Sequence, residues 1–63
     1  MSGQVLRDSM GRKLGEITTD THGRQTLRDE MGRKLGEYDP NTDVTRDAMG
    51  HKVGNGNLLM TLL

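Results

Sequence analysis

The stretch Leu6–Ile17, LRDSMGRKLGEI, decides how the chain is organised, because it recurs. A second copy, Leu27–Tyr38, reads LRDEMGRKLGEY, and a third and more divergent copy, Thr45–Asn55, reads TRDAMGHKVGN. A half copy, Asp20–Arg24, reads DTHGR and lies between the first two. All four share Asp-x-x-Gly followed by Arg or His. This repetition is the strongest signal in the sequence, and it has to be interpreted before any local motif.

The Asp-x-x-Gly unit predicts a tight turn. Asp in the first position of a type I turn accepts hydrogen bonds from nearby backbone amides, and Gly adopts the left-handed conformation without steric cost. A type I turn followed by such a residue is a common hairpin connection with a bulge. Four turns are therefore predicted, at Asp8–Gly11, Asp20–Gly23, Asp29–Gly32 and Asp47–Gly50.

These turns predict an all-β fold, an antiparallel meander of about six short strands. A Gly every few residues disfavours helix, and Asp39–Asp43 (DPNTD) forms a fifth turn in which Pro fixes φ. A solenoid would use the same turns and stays open as an alternative. The expected strands are Gln4–Arg7, Arg12–Thr19, Arg24–Arg28, Arg33–Tyr38, Asp43–Arg46 and His51–Gly54.

The chain divides into three parts. Residues 1–3 are expected to be a free N-terminus, residues 4–54 a β-hairpin repeat domain, and residues 55–63 a Gly/Asn linker followed by a Leu-rich segment. Leu58–Leu63 is predicted to form a short apolar helix or strand. It has two interpretations: it covers the protein's own sheet, or it is a surface for self-association or for a partner's groove.

Pairing each turn Asp with the residue after the Gly predicts a register for the sheet. Apolar and opposite-charge residues then face each other across strands, which stabilises a sheet. The predicted pairs are Leu6 with Leu14, Ile17 with Leu27, Leu27 with Leu35, and Glu16 with Arg28. Odd-numbered residues share one face, with Val5, Ile17, Leu27, Leu35 and Val53. Even-numbered residues share the other, with Leu6, Leu14, Tyr38 and Val44 among the basic residues Arg12, Arg24, Arg28, Lys34, Arg46 and Lys52.

Composition limits the kind of protein this is. The chain has 63 residues, 30% of them hydrophobic, with one aromatic residue and no Cys. Chains of this size bury little core, and the lack of Cys excludes disulfides and thiolate metal sites, so we expect association to supply stability. The formal net charge of zero disfavours nucleic acid as a partner. The sequence shows no secretory signal and no transmembrane segment, and it leaves the compartment unassigned.

No motif indicates catalysis, a metal or a cofactor. Asp39–Asp43 imitates the start of a calcium loop, but Val44 stands where such a loop needs Gly, and Gly50 where it needs Glu. His22 and His51 have no second His or Cys at ligand spacing. There is no Gly-x-Ser-x-Gly elbow, so we expect a protein that is not an enzyme and has no cofactor.

Two functional hypotheses from different classes follow. The first is a structural or interaction module that self-associates as a homo-oligomer, or binds a protein partner, through its apolar end and one sheet face. Its candidate residues are Leu58, Leu59, Leu62, Leu63, Leu27 and Leu35. The alternative is a module that binds an anion or a nucleic acid through a basic sheet face. Its candidate residues are Arg24, Arg28, Lys34 and Arg46.

The run Asp-x-x-Gly-Arg at Asp8–Arg12, Asp20–Arg24 and Asp29–Arg33 resembles the YD-repeat sequences of Rhs-type toxin shells and teneurins. The resemblance covers residues 6–54. It implies hairpins that join into long sheets, which in that family commonly enclose or display something at the cell surface. Four other residues stand where that family has Tyr before Asp, namely Arg7, Thr19, Arg28 and Arg46.

Overall fold

The computed structural model describes residues 2–63, with side chains described from Gly3 onward, and has an all-β fold. Six antiparallel strands form one sheet in which every strand pairs with its neighbour in the sequence. A single turn of 3-10 helix, Leu59–Leu62, follows the last strand. The strands are β1 (Ser2–Arg7), β2 (Lys13–Thr19), β3 (Gln25–Asp29), β4 (Lys34–Asp39), β5 (Val44–Asp47) and β6 (Lys52–Asn55).

The predicted antiparallel meander is confirmed, and the Leu-rich segment takes the helical form. The largest difference in boundaries is at the N-terminal end. Strand β1 begins at Ser2 instead of Gln4, so Ser2 and Gly3 pair with Thr19 and Thr18 instead of being free. Met1 lies outside the described residues.

The four Asp-x-x-Gly turns share one hydrogen-bond pattern. At Asp29, the amide of Gly32 donates to the Asp29 carbonyl oxygen at 3.0 Å, and the amide of Asp29 donates to the Arg33 carbonyl oxygen at 2.8 Å. The amides of Met31 and Arg33 both donate to Oδ1 of Asp29, at 2.8 and 2.9 Å. Gly32 has φ of 88°, the left-handed conformation that the turn requires. Asp8, Asp20 and Asp47 make the same set of backbone and side-chain bonds.

A bulge after three of these turns changes the register that the sequence predicted. The pairing shifts between Leu6 and Arg7, so that Leu6 faces Gly15 and Leu14 is left between two pairs. In the same way Leu27 faces Gly36 instead of Leu35. The predicted Leu6–Leu14 and Leu27–Leu35 pairs are therefore wrong, because a bulge places one extra residue in the strand that leaves the turn.

The turn between β2 and β3 has no register shift. Ile17 faces Leu27 and Glu16 faces Arg28, as predicted. The other three Asp-x-x-Gly turns are followed by bulges, and between β4 and β5 the even-numbered Tyr38 faces the odd-numbered Thr45. The division into odd and even faces therefore fails along the chain. Residues that pair across strands lie on the same face of the sheet. One face carries Leu6, Gly15, Ile17, Leu27, Gly36, Tyr38, Thr45 and Gly54. The opposite face carries Val5, Glu16, Arg28, Glu37 and Arg46, together with the lysines that pair with arginines, Lys13, Lys34 and Lys52.

The Leu-rich segment (Leu58–Leu63) packs across the first of these faces, which we call the covered face. Three glycines at the same position of the three copies make room for it. A Cβ added to Gly15 would lie 3.3 Å from Cδ2 of Leu63, and one added to Gly54 would lie 2.7 Å from Cδ1 of Leu58. The glycine between them, Gly36, lies closest of all to the segment. The two fully buried leucines of the protein, Leu27 and Leu59, come from the sheet and from the segment respectively.

Thr45 anchors the segment to the sheet. It stands in the third copy where the first two copies have Leu, and it is fully buried opposite Gly54. Its hydroxyl donates to the carbonyl oxygen of Gly56 at 2.6 Å and accepts from the amide of Leu58 at 3.0 Å. Thr in place of Leu at this position of the third copy therefore stabilises the turn through which the chain returns over the sheet.

Candidate functional site

Three equivalent hairpin ends lie together at one end of the sheet. In a meander every second connection falls on the same side, so the turns after β1, β3 and β5 are neighbours. They lie in residues 7–13, 28–34 and 46–52, which read RDSMGRK, RDEMGRK and RDAMGHK. We call these three segments together the methionine end.

Charge is strongly segregated towards the methionine end. It holds eight of the nine Lys and Arg residues but only four of the nine Asp and Glu residues. Its formal charge is therefore +4, and the remainder of the chain carries −4, although the total is zero. The eight basic residues are Arg7, Arg12, Lys13, Arg28, Arg33, Lys34, Arg46 and Lys52.

Each hairpin repeats a pair of like charges. Arg7 faces Lys13, Arg28 faces Lys34, and Arg46 faces Lys52, all next to a bulge. Like charges directly opposite each other destabilise a sheet. Glu16 and Glu37 face Arg28 and Arg46 from the strand on the other side, but they do not face the three lysines. The like-charge pairing places six cationic side chains behind the hairpin turns.

Three of the arginines are held by the turns themselves. Nη1 of Arg7 donates to the carbonyl oxygen of Gly11 at 3.0 Å. Arg28 and Arg46 make the same bond to the glycines of their own turns, at 3.3 and 3.1 Å. Each bond uses one of the five N–H donors of a guanidinium. The three guanidinium groups are thus fixed in a row with most of their donors left for other acceptors.

The turn aspartates of the methionine end accept bonds from their own turns, whereas Glu30 is exposed at the tip of the second hairpin. Oδ1 of Asp8 accepts backbone amides, and Oδ2 of Asp8 lies 3.0 Å from Nε of Arg12. Asp29 and Arg33 repeat the ion pair at 3.2 Å. The amides of Arg12 and Arg33 are the main cause that lowers the pKa of Asp8 and of Asp29 respectively. These two acidic groups therefore have their own donors, which leaves the Arg and Lys pairs behind them without those counter-ions.

The tips of the three hairpins carry exposed methionines. Met10 is 78% exposed, Met31 75% and Met49 80%. Each lies directly before the turn Gly and follows Ser9, Glu30 or Ala48, and the residue after the Gly is Arg or His. The methionine end therefore combines apolar tips with a cationic base.

The predicted anion-binding residues are divided between the two ends of the sheet. Arg28, Arg46 and Lys34 belong to the methionine end, although Nζ of Lys34 lies 3.4 Å from a Glu37 carboxylate oxygen. Arg24 lies at the other end, 3.6 Å from an Asp39 carboxylate oxygen. A shallow cavity of about 190 Å³ is lined by both Arg24 and Arg46, but the carboxylates of Glu37 and Asp39 also line it and balance their charge. Its lining residues are Arg24, Glu37, Asp39, Thr42, Val44 and Arg46.

The predicted self-association residues are also divided. Leu27 and Leu59 are buried within the protein, Leu58 and Leu62 are half-buried against the covered face, and Leu63 is 46% exposed. Leu35 does not join them, because it is the residue that the bulge leaves between two pairs. The structure therefore brings most of these leucines together inside one copy of the chain.

The sequence analysis missed several residues of the methionine end, namely Arg7, Lys13, Met10, Met31 and Met49. The signal was present in the repeat. Its three full copies keep Arg, Asp, Met, Gly and Lys in the same places, and only the turn Asp and Gly are needed for the hairpin.

At the opposite end of the sheet, Tyr38 of β4 contacts the loop between β4 and β5. The hydroxyl of Tyr38 donates to Oδ1 of Asp43 at 2.8 Å, and this bond to a carboxylate raises the pKa of Tyr38. Asp43 has φ of 54°, and its carbonyl oxygen accepts from the amide of Gly56 at 2.9 Å. Among residues 2–63, no cluster of three or more His, Asp or Glu residues is arranged to hold a metal ion.

Comparisons with protein-family models, with curated proteins and with solved structures find no match to this chain. The resemblance to YD repeats therefore stays a prediction that rests on the Asp-x-x-Gly-Arg runs alone. Over the part of the chain that the structure describes, no helix is long and apolar enough to cross a membrane.

Proposed function

We propose that the protein is a non-enzymatic interaction module that binds anionic partners through its methionine end. The observation that carries this proposal is the segregation of charge, with +4 on the three hairpin ends and −4 on the remainder. A neutral protein with its charges mixed would attract no anion, whereas a patch of one sign concentrates counter-charged partners at its surface.

The like-charge pairs support the same proposal. Arg7 with Lys13, Arg28 with Lys34, and Arg46 with Lys52 weaken the sheet but recur in all three hairpins. An anion that lies along this row would remove the repulsion within each pair. The three arginines are already held by the turns, so binding would cost less side-chain freedom than it would for mobile side chains.

Binding to a soluble polyanion tests this function. Heparin affinity is expected to fall steeply with added salt, because binding releases counter-ions. Replacing Lys13, Lys34 and Lys52 by Gln is expected to weaken binding by about tenfold or more, since it removes three of the paired charges.

The matched control adds three negative charges at the other end of the sheet, with Thr21→Glu, Asn41→Glu and Thr42→Glu. It has the same net charge as the Gln variant and is expected to keep most of the affinity. Equal loss in both variants would show that net charge alone matters and would contradict a site at the methionine end.

We also propose a second candidate function, self-association through the Leu-rich segment and the apolar sheet face. Met60 is 59% exposed, and Leu63 is still 46% exposed although it packs beside Gly15, which supports a contact between copies. Exchange of the segment between two copies would use the same packing on the covered face.

Light scattering on the whole chain and on a chain that ends at Asn57 tests the second candidate, with circular dichroism to check folding. Self-association predicts that the whole chain is an oligomer and that the chain ending at Asn57 is a monomer. The double variant Met60→Gln and Leu63→Gln provides a milder form of the same test. A folded monomer in every form contradicts self-association.

A further inference from the structure

The turns that carry the three exposed methionines do not require a methionine side chain, although Sδ of Met10 accepts from Nη2 of Arg12 at 3.9 Å. The half copy at Asp20–Gly23 forms the same turn with His22 in the equivalent place. That turn lies between β2 and β3, at the opposite end of the sheet. Among the four Asp-x-x-Gly turns, methionine therefore occurs only in the three at the end where the basic residues are concentrated, and the turn geometry does not explain it.

The methionines form a row. Neighbouring strands in a sheet are about 4.8 Å apart, so successive hairpin tips are separated by about 10 Å and the row from Met10 to Met49 spans about 20 Å. A single exposed apolar side chain is ordinary on a protein surface. Three at equivalent tips, each 75% exposed or more, lie along one edge of the sheet.

Charge lies directly behind this row. Moving from each tip into the sheet, Met is followed by the turn and then by an Arg and Lys pair, such as Arg28 and Lys34 behind Met31. This order matches a bilayer surface made of anionic lipids, where the acyl boundary is apolar and the headgroup layer above it is negative. A soluble polyanion would contact the basic residues but would give the apolar tips no partner.

We propose that the methionine end docks onto an anionic phospholipid bilayer, with Met10, Met31 and Met49 in the boundary between headgroups and acyl chains and the Arg and Lys pairs at the headgroups. Methionine suits this position because its unbranched side chain adapts to irregular apolar surroundings. The inference rests on the proposed anion-binding function and names the partner of that same site.

Vesicle sedimentation with the full chain tests the inference. Large vesicles of phosphatidylcholine with phosphatidylserine are compared with vesicles of phosphatidylcholine alone, and heparin affinity is measured in parallel. The triple variant Met10→Gln, Met31→Gln and Met49→Gln is expected to lose about tenfold or more of its partition onto anionic vesicles, because it removes the apolar contact. Its heparin affinity is expected to stay within about twofold, because its charges are unchanged.

The control variant is Met60→Gln, which removes an exposed methionine from the Leu-rich segment and is expected to bind vesicles like the parent protein.

A single introduced tryptophan gives a second measurement, because the chain has no Trp of its own. Tryptophan fluorescence of a Met31→Trp variant is expected to shift to the blue with anionic vesicles, and that of a His22→Trp variant is expected not to change.

The outcomes separate the inference from the function on which it rests. Equal vesicle binding by the parent and the triple variant, with no shift at position 31, overturns insertion and leaves a purely electrostatic anion site. Heparin binding without vesicle binding overturns the lipid partner alone and favours a soluble polyanion. Failure to bind either heparin or vesicles overturns the proposed function together with the inference.

Discussion

The hydroxyl oxygen of Thr45 lies 3.0 Å from the amide nitrogen of Leu58 and accepts its hydrogen bond. The same hydroxyl donates to the carbonyl oxygen of Gly56 at 2.6 Å, so one buried side chain satisfies both polar groups where the chain turns back over the sheet. Leu6 and Leu27 occupy this position in the other two copies, and a leucine could make neither bond. Thr therefore replaces Leu in the third copy at the one position where the following chain turns back over the sheet.

We expect Thr45→Val to destabilise the protein by about 1–3 kcal/mol, because it keeps the shape but leaves the Gly56 carbonyl and the Leu58 amide without this partner. Denaturant unfolding followed by circular dichroism measures the change. Thr45→Ser is the control, since it keeps the hydroxyl and loses one methyl group, for about 1 kcal/mol. A Val variant as stable as the Ser variant would contradict the anchoring role.

We expect Gly36→Ala to destabilise the protein by about 1–3 kcal/mol through overpacking. The new Cβ would lie 2.6 Å from the carbonyl oxygen of Arg46, which is backbone and cannot move aside alone, and would also overlap Leu62. Gly3→Ala is the control, because its nearest neighbour is a Glu16 carboxylate oxygen at 3.6 Å. The control should change stability by less than about 0.5 kcal/mol. Thermal unfolding of both variants tests the prediction.

Gly54→Ala should destabilise the protein by an amount between those of Gly36→Ala and Gly3→Ala. Its added Cβ would meet Cδ1 of Leu58 at 2.7 Å and nothing else within 4 Å, and a side-chain methyl can rotate away. We expect the Leu-rich segment to detach partly while the sheet stays intact. Hydrogen exchange would show faster exchange of the Leu58 and Leu59 amides with unchanged protection in β2 and β3. Loss of protection throughout the sheet would contradict this expectation.

Stability is expected to fall in acid partly through the turn aspartates. The amides of Arg12 and Arg33 lower the folded-state pKa of Asp8 and Asp29 below the ordinary value of 3.8. Their contribution is therefore complete above pH 3.8 and is lost as the pH falls through the lower, folded-state pKa. Asp29→Asn keeps an oxygen for the turn amides but cannot titrate. The stability difference between the parent and this variant should shrink towards zero in acid, as measured by denaturant midpoints from pH 6 to pH 2.

Tyr38 should ionise above its ordinary pKa of 10.0, because its hydroxyl donates to the Asp43 carboxylate. It is the only tyrosine, so tyrosinate absorbance reports it directly. The associated stability is present below pH 10 and is lost as the pH rises through the raised, folded-state pKa. Asp43→Gly removes the carboxylate and suits the positive φ of 54°. This variant should titrate closer to 10.0, and an unchanged titration would contradict the role of the carboxylate.

The order of strands could be predicted because it depends on contacts close in sequence. Asp8 and Gly11, three residues apart, close a turn by themselves, and a chain of such turns leaves neighbouring strands to pair. The faces could not be predicted from parity, because a bulge at Leu14 or Leu35 inserts one residue and exchanges every later side chain between faces. The candidate site could be predicted only in part. Charge and an assumed common face indicate Arg28, Lys34 and Arg46, whereas the methionines form a set only when the three hairpin tips lie side by side.

The sequence by itself determined the turns, the number of strands and their order, since each turn is formed by hydrogen bonds within five consecutive residues. Only the tertiary structure decided which face is covered and which end is charged. Gly15, Gly36 and Gly54 are distant in sequence, and they form one surface for the Leu-rich segment only when the three hairpins lie side by side. The hairpin ends likewise become one cationic, methionine-tipped edge only in the sheet, because strand pairing brings together residues that are 18 or 21 positions apart in the chain.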